Sequence, residues 1–353
     1  MILLSFLLLV IIMVSFLDII ECPLSLRISI LIILGVVLAL VAGLRYGDRD
    51  YFSYLDIYES TTRLFTDFDA TEIHGEPGYL LLNRVCKTLS LGLTGVFLIM
   101  SFSSVALCLN FFRKNTPYFL LALLIYFSHV FMLRDMMQVR AGLAASISLY
   151  ALQYIGKRKF LPFILIILLA ASMHTGVLIL ILAYLSYPLY LKYPGSVKYL
   201  VVLGFLIGLL LNAALIEYLV TNFFNLPGVS VYLADPEYFA SLGLLNLVLI
   251  KNVILLGFII YFRPHIKDHV PHYDVYLLCL ALGIFWLSAF NNFAILAARL
   301  ATYFANVEHI LLPALFLTRI NRFLLWGIVV AYCLVMFVSK FSIFDELTYL
   351  FLR

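Results

Sequence analysis

Residues 26–51 read LRISILIILGVVLALVAGLRYGDRDY. No charged side chain interrupts the run from Ile28 to Leu44, and Arg45, Asp48, Arg49 and Asp50 crowd in behind it. A helix of about 20 mostly apolar residues crosses a hydrocarbon core about 30 Å thick. The stretch therefore reads as a span that ends at a water boundary. Composition extends this reading to the whole chain: 65% of its 353 residues are hydrophobic and 12% charged, and the mean hydropathy is +1.09. Ordinary globular proteins are roughly 45–50% apolar and about 25% charged. So few charges cannot cover a water-soluble surface, which excludes soluble metabolic enzymes, nucleic-acid binders and disordered tails. The expected fold is all-α, a polytopic transmembrane helical bundle, because lipid cannot satisfy open backbone groups and no alternating barrel pattern occurs.

Similar runs fall at about 1–18, 26–44, 93–112, 117–133, 139–156, 160–174, 175–191, 198–220, 241–262, 273–292, 297–317 and 323–340. They make twelve expected spans in one integral membrane domain, 1–353. Met1 to Leu17 has neither a basic region nor an Ala-x-Ala site, and reads as a retained first span. Two connections are long, 45–92 and 221–240, and no internal repeat is visible. The five cysteines have no paired spacing, which argues against a disulfide framework or a metal cluster. A net charge of +4 is too small to call for a nucleic-acid partner.

Lysine and arginine set the orientation, since cytoplasmic loops carry their excess. Arg113 with Lys114, Lys157 to Lys159, Lys192 with Lys198, Arg263 with Lys267, and Arg319 with Arg322 fall on every second loop. With these inside, 45–92, 134–140, the turn at His174, 221–240 and the approach to Arg299 face outwards. Within the first outer loop, Pro77 suits a first helical turn. The spacing over 77–91 then predicts an interfacial amphipathic helix, with Asn83, Arg84, Lys87 and Thr88 on one face and Leu82, Val85, Cys86 and Leu89 on the other.

This topology gathers Arg45, Arg49, Arg134, Arg140, His174 and Arg299 on the side that disfavours arginine. A guanidinium stays charged and binds phosphate oxygens bidentately, so a lipid-linked pyrophosphate is the ligand such a group would serve. The competing account is pairing with Asp48, Asp50 and Asp135, or with lipid head groups. Tyr46, Tyr51 and Tyr54 beside acids suit sugar stacking, and equally suit an aromatic interface belt. His174 fits a base, a proton shuttle or a phosphate donor, and also a structural histidine bonded to a carbonyl. His265, His269 and His272 lie in a loop expected inside, where a solvated role competes with metal binding. Lys251 and Glu308 lie deep in spans and predict an ion pair between the ninth and eleventh.

In matching order, several blocks resemble the EpsG-like family of Wzy-type polysaccharide polymerases. They are Gly43-Leu44-Arg45-Tyr46-Gly47 with Asp50-Tyr51, Glu76-Pro77-Gly78-Tyr79 with Leu82-Asn83, Arg140 with Ala141 and Ala144, Phe160 with Ala170, Ala171 and His174, and Arg299-Leu300 with Tyr303-Phe304. The resemblance implies a glycosyltransferase of the bacterial inner membrane whose active site faces the periplasm. It implies transfer of a growing glycan from undecaprenyl pyrophosphate onto a new lipid-linked repeat unit, with no cofactor and no required metal. Arg140 and Arg299, with Arg45 and Arg134, are then the pyrophosphate ligands, and His174, Asp50 and Glu76 the candidate bases. Tyr46, Tyr51 and Tyr54 would hold sugar. The implied partners are the lipid-linked oligosaccharide, membrane lipid, a chain-length regulator and a flippase. A lipid-linked saccharide transporter and an O-antigen ligase are the competing functions, and a membrane acyltransferase is a more distant one.

Overall fold

The structure is a computed structural model that describes residues 2–66, 73, 75–211, 241–341 and 348–349. The second long loop, 221–240, lies outside the described residues. Among the described residues, all elements but one two-stranded pairing are helices. Four are long and apolar enough to cross a membrane: Leu24–Gly43, Gly92–Asn115, Phe119–Met137 and Thr175–Lys192. The pair Ala294–Ala305 and Glu308–Leu317 passes the same test together, across a bend of 55°. Shorter apolar helices occupy Ile2–Asp18, Phe160–Ala171, Ser196–Leu210, Leu247–Tyr261, Tyr273–Ala289 and Arg322–Val338. Each of the twelve expected stretches thus carries helix, with Val139–Ser148 and Leu152–Gly156 filling the remaining one.

Local chemistry explains several helix starts. Asn246 caps Leu247–Tyr261 by accepting from the Leu249 N–H at 2.9 Å. Asn321 caps Arg322–Val338 by accepting from Phe323 at 2.9 Å and Leu324 at 3.2 Å. Such caps satisfy N–H groups that a helix leaves orphaned in its first turn. The large apolar residues left exposed, among them Ile32, Ile33, Leu165, Leu206, Leu209 and Leu324, would be costly in water and suit lipid contact.

Two compact units divide the chain: 1–151 with 161–177 and 312–353, and 152–160 with 178–311. In the first, α1 (Ile2–Ser15), α2 (Leu24–Gly43), β1 (Arg45–Tyr46), α3 (Tyr51–Ser60), α4 (Pro77–Thr88), α5 (Gly92–Asn115) and α6 (Phe119–Tyr126) follow in order. A π-helical segment, Phe127–Met137, then leads to α7 (Val139–Ser148). Helix α5 packs against α2, α4 and α7, and the π segment against α7. The connection expected at 134–140 shrinks to Gln138, because helix continues through Met137.

Contacts in this unit join loops assigned to the same side. At the end expected inside, Asp18 accepts from Arg27 at 2.9 Å and from the first N–H groups of α6, Leu120 at 2.8 Å and Leu121 at 3.0 Å. Arg322 pairs with Glu21 there. At the end expected outside, β1 pairs antiparallel with β2 (Thr348–Tyr349), Arg45 opposite Tyr349.

In the second unit, α8 (Leu152–Gly156), α10 (Ile181–Lys192), α11 (Ser196–Leu210) and α12 (Leu247–Tyr261) each pack on α14 (Tyr273–Ala289). Helix α9 (Phe160–Ala171), which belongs to the first unit from Leu161 on, precedes α10 in sequence, and the short α13 (Arg263–Ile266) precedes α14. A Cβ on Gly208 would stand 2.1 Å from the Ser288 carbonyl oxygen, so only glycine allows α11 this approach. The bent pair is α15 (Ala294–Ala305) and α16 (Glu308–Ala314). The Lys251 ammonium and the Glu308 carboxylate pair across α12 and α16, the partners expected from the sequence.

Candidate active site

The first-loop helix forms over 77–88 and differs in its faces from the sequence reading. Asn83 lies on the buried side with Tyr79, Leu80 and Cys86, while Leu89 is exposed. The reason is a tertiary partner: α4 packs on α5, and its polar Asn83 is accommodated by donating to the Tyr79 carbonyl at 2.7 Å. The charged edge folds back on its own loop. Lys87 donates to the carbonyls of Tyr58, Glu59 and Thr61 at 3.1, 2.8 and 2.6 Å.

Glu76 stands just before Pro77 and is the hinge of the cluster. Its Oε2 accepts from Arg140 Nη1 at 2.8 Å, and its Oε1 accepts from the Thr175 backbone N–H at 3.2 Å. One carboxylate thus ties α4, α7 and the turn after α9. The same turn is clamped by the Ser172 carbonyl, which accepts from the Gly78 N–H at 2.8 Å and the Tyr79 N–H at 3.2 Å. A Cβ on Gly78 would meet the Ser172 hydroxyl at 2.4 Å and its carbonyl at 2.8 Å, so this contact requires glycine.

Arg140 lies between rings as well as beside an acid. Its guanidinium carbon is 5.6 Å from the Tyr54 ring centroid and 5.4 Å from that of Tyr79. Burial pushes both phenols above their ordinary range, so they face the cation as neutral rings. About a fifth of the Arg140 side chain remains accessible (20%), and 13% of Glu76. The cation is fixed in place yet still reachable.

The other predicted residues divide clearly. Arg45 is 1% exposed, bonds Asp48 at 2.6 Å and the Ala42 carbonyl at 3.0 Å, and lies 4.0 Å over the Phe97 ring. Asp48 also accepts from the Asp50 N–H at 3.1 Å, so this pair builds the turn into α3. Tyr51 and Tyr54 are buried in an aromatic cluster with Phe97 and Tyr79. The ring faces expected to stack on sugar therefore meet protein, while Tyr46 is only partly buried. Arg134 sits in the π segment and donates to Gln138 at 2.6 Å. Arg299 belongs to α15 in the second unit. His174 accepts from the Gly176 N–H through Nδ1 at 3.0 Å. Among the described residues, no group of three or more histidine, cysteine or acidic side chains is arranged to hold a metal.

Three features escaped the sequence reading. A π-helical segment replaces α-helix over Phe127–Met137, and Lys340 donates to two of its carbonyls, Ser128 at 2.8 Å and His129 at 2.7 Å. Lys340 is a lysine at a span end expected to face outwards, so the criterion that singled out the arginines also applies to it. Asp135 is held by the hydroxyls of Ser104 and Tyr126, the latter at 2.7 Å. Tyr79 is the third, and its place beside Arg140 depends on α4 docking onto α5.

The family model described as the EpsG family matches residues 28–351. The amylovoran biosynthesis protein AmsC of Erwinia amylovora is similar, 24% identical over 331 residues that cover 88% of this chain and 86% of the relative. No solved structure matches.

Proposed function

The chain belongs to the EpsG family, and we propose on that premise that it is a polysaccharide polymerase of the inner membrane. It would act on undecaprenyl-pyrophosphate-linked oligosaccharide at the periplasmic face, moving the growing glycan en bloc onto the next lipid-linked repeat unit. Family membership and the likeness to a protein of amylovoran biosynthesis support a role of this type in polysaccharide assembly. The observation that carries the mechanism is Arg140, reachable, charged, and fixed by Glu76 and two tyrosine rings.

Glycosyl transfer from a pyrophosphate breaks the bond between the sugar C1 and the phosphate oxygen, and negative charge grows on the departing pyrophosphate. A preorganised guanidinium at a low-dielectric boundary stabilises that charge without reorganising. Arg140 is assigned to the pyrophosphate, and this charge stabilisation needs no metal; the family resemblance adds Arg134 and Arg299 as further candidates. Arg45 is assigned to holding the loop, since its guanidinium is committed to Asp48 and Ala42. Glu76 serves Arg140 and the 174–176 turn, and Asp50 is assigned to receive the acceptor hydroxyl proton. A chain-length regulator and a flippase are the partners this pathway calls for.

A second reading draws on the second unit. The 55° break in a span, with Glu308 just past it and paired to Lys251, has the form of the discontinuous helices found in transporters. It favours a lipid-linked saccharide transporter. Supplying the purified protein with lipid-linked repeat units and running the product on a gel separates the two. A polymer ladder supports the polymerase, and movement of lipid between leaflets without a ladder supports the transporter.

A further inference from the structure

Three N–H groups open the 3-10 turn Thr175–Leu180, and all three are engaged. The Thr175 N–H donates to Glu76 Oε1 at 3.2 Å, the Gly176 N–H to His174 Nδ1 at 3.0 Å, and the Val177 N–H to the His174 carbonyl at 3.3 Å. The middle bond fixes more than the ring position. A backbone N–H can only donate, so the Nδ1 it meets must carry a lone pair and no proton. The neutral imidazole then holds its proton on Nε2. The Nδ1–H tautomer would set two donors head-on at 3.0 Å, and so would the imidazolium.

A general base needs an unprotonated nitrogen directed at the substrate. Here the unprotonated nitrogen is occupied by the backbone and the remaining one bears hydrogen. Glu76 brings the backbone of this turn to Arg140, because the same carboxylate binds the Arg140 guanidinium and the N–H of the residue after His174. We propose that His174 is a neutral Nε2–H hydrogen-bond donor to a phosphate oxygen of the departing pyrophosphate, acting beside Arg140, and is not the base that deprotonates the acceptor. A neutral imidazole used as an electrophile at a helix start is an established device. No proton changes hands: the hydrogen stays on Nε2, and the bond strengthens as charge develops on the oxygen. The assignment rests on the polymerase reading for the identity of the anion, while the tautomer stands on the turn geometry alone.

Two measurements on the full chain in detergent test it. In the first, ladder formation from lipid-linked repeat units is compared for His174→Gln and His174→Ala, with melting temperatures as the folding control. Glutamine keeps an N–H donor and is no base. His174→Gln should stay within about tenfold of wild type, while His174→Ala loses about 10²–10³-fold, the effect of removing one such donor. Equal loss in both, with folding intact, overturns the donor role. In the second, 15N spectra of histidine-labelled protein are recorded, the 174 signal being the one absent from His174→Gln. A pyridine-type Nδ1 and a pyrrole-type Nε2, with Nε2 shifting on addition of undecaprenyl pyrophosphate, are the expected result. A pyrrole-type Nδ1, or an Nε2 that ignores the pyrophosphate, overturns the proposal. If wild-type protein makes no ladder, the polymerase reading fails, and the Nε2 response still decides whether His174 meets a phosphate.

Discussion

Arg140 and Arg45 show how two arginines of similar sequence appeal take different roles. Arg45 is buried with its acid partner and a phenyl ring, whereas Arg140 keeps an accessible edge between tyrosines. Replacing Arg140 by Ala should shorten or abolish polymer while leaving membrane levels of the protein near wild type. Arg140→Lys should rescue poorly, since an ammonium cannot form the planar fork. Arg299→Ala should behave as Arg140→Ala does. Polymer length on gels, read beside an immunoblot of membranes, checks these three, and retained chain length in Arg140→Ala removes its assigned role. Arg45→Ala should fail differently. It strands a buried Asp48, a loss of about 3–5 kcal/mol when one partner of a buried pair is removed, so thermal unfolding in detergent should move down markedly. Asp48→Asn, which keeps an acceptor for the guanidinium, should cost less.

At the scale of elements, the site depends on two contacts between segments far apart in sequence. Gly78→Ala forces a methyl against Ser172 and should separate α4 from the turn that carries His174. Activity should fall at least as far as in Glu76→Ala, and a fully active Gly78→Ala would show the clamp to be dispensable. Lys340→Met removes the ammonium that bridges the Ser128 and His129 carbonyls, and hydrogen bonds to a charged group contribute about 1.5–3 kcal/mol each. Hydrogen exchange should then accelerate over 127–137 more than over α5, and uniform protection would count against the capping role. The helices themselves were legible in sequence because about 20 apolar residues leave little choice in lipid. The π segment was not, since Phe127–Met137 has no Pro or Gly to mark it and two of its carbonyls are met by a lysine about 210 residues away. Asn83 was misplaced for a similar reason: periodicity ranks faces by polarity, and docking on α5 buried this amide.

At the scale of the whole molecule, the side expected for each loop can be set beside the contacts within the first unit. The alternation of Lys and Arg assigned 45–92, 134–140 and the His174 turn to one side, and Glu76 accepts directly from both Arg140 and Thr175. Asp18, Arg27 and the start of α6 meet at the other end in the same way. The chemical types at the site were readable from charge in unfavourable places, as with Arg140. Their roles were not, because exposure and hydrogen-bond direction separate Arg140 from Arg45 and a donor histidine from a base. The 55° break and its Lys251–Glu308 pair leave a transporter as the rival whole-molecule account. The most direct test of the central claim is reconstitution of the purified protein with undecaprenyl-pyrophosphate-linked repeat units in chelator, without nucleotide sugar, followed by a gel for ladders. The account predicts a ladder that disappears in Arg140→Ala. Absence of any ladder from folded wild-type protein, with the lipid crossing between leaflets, would contradict it.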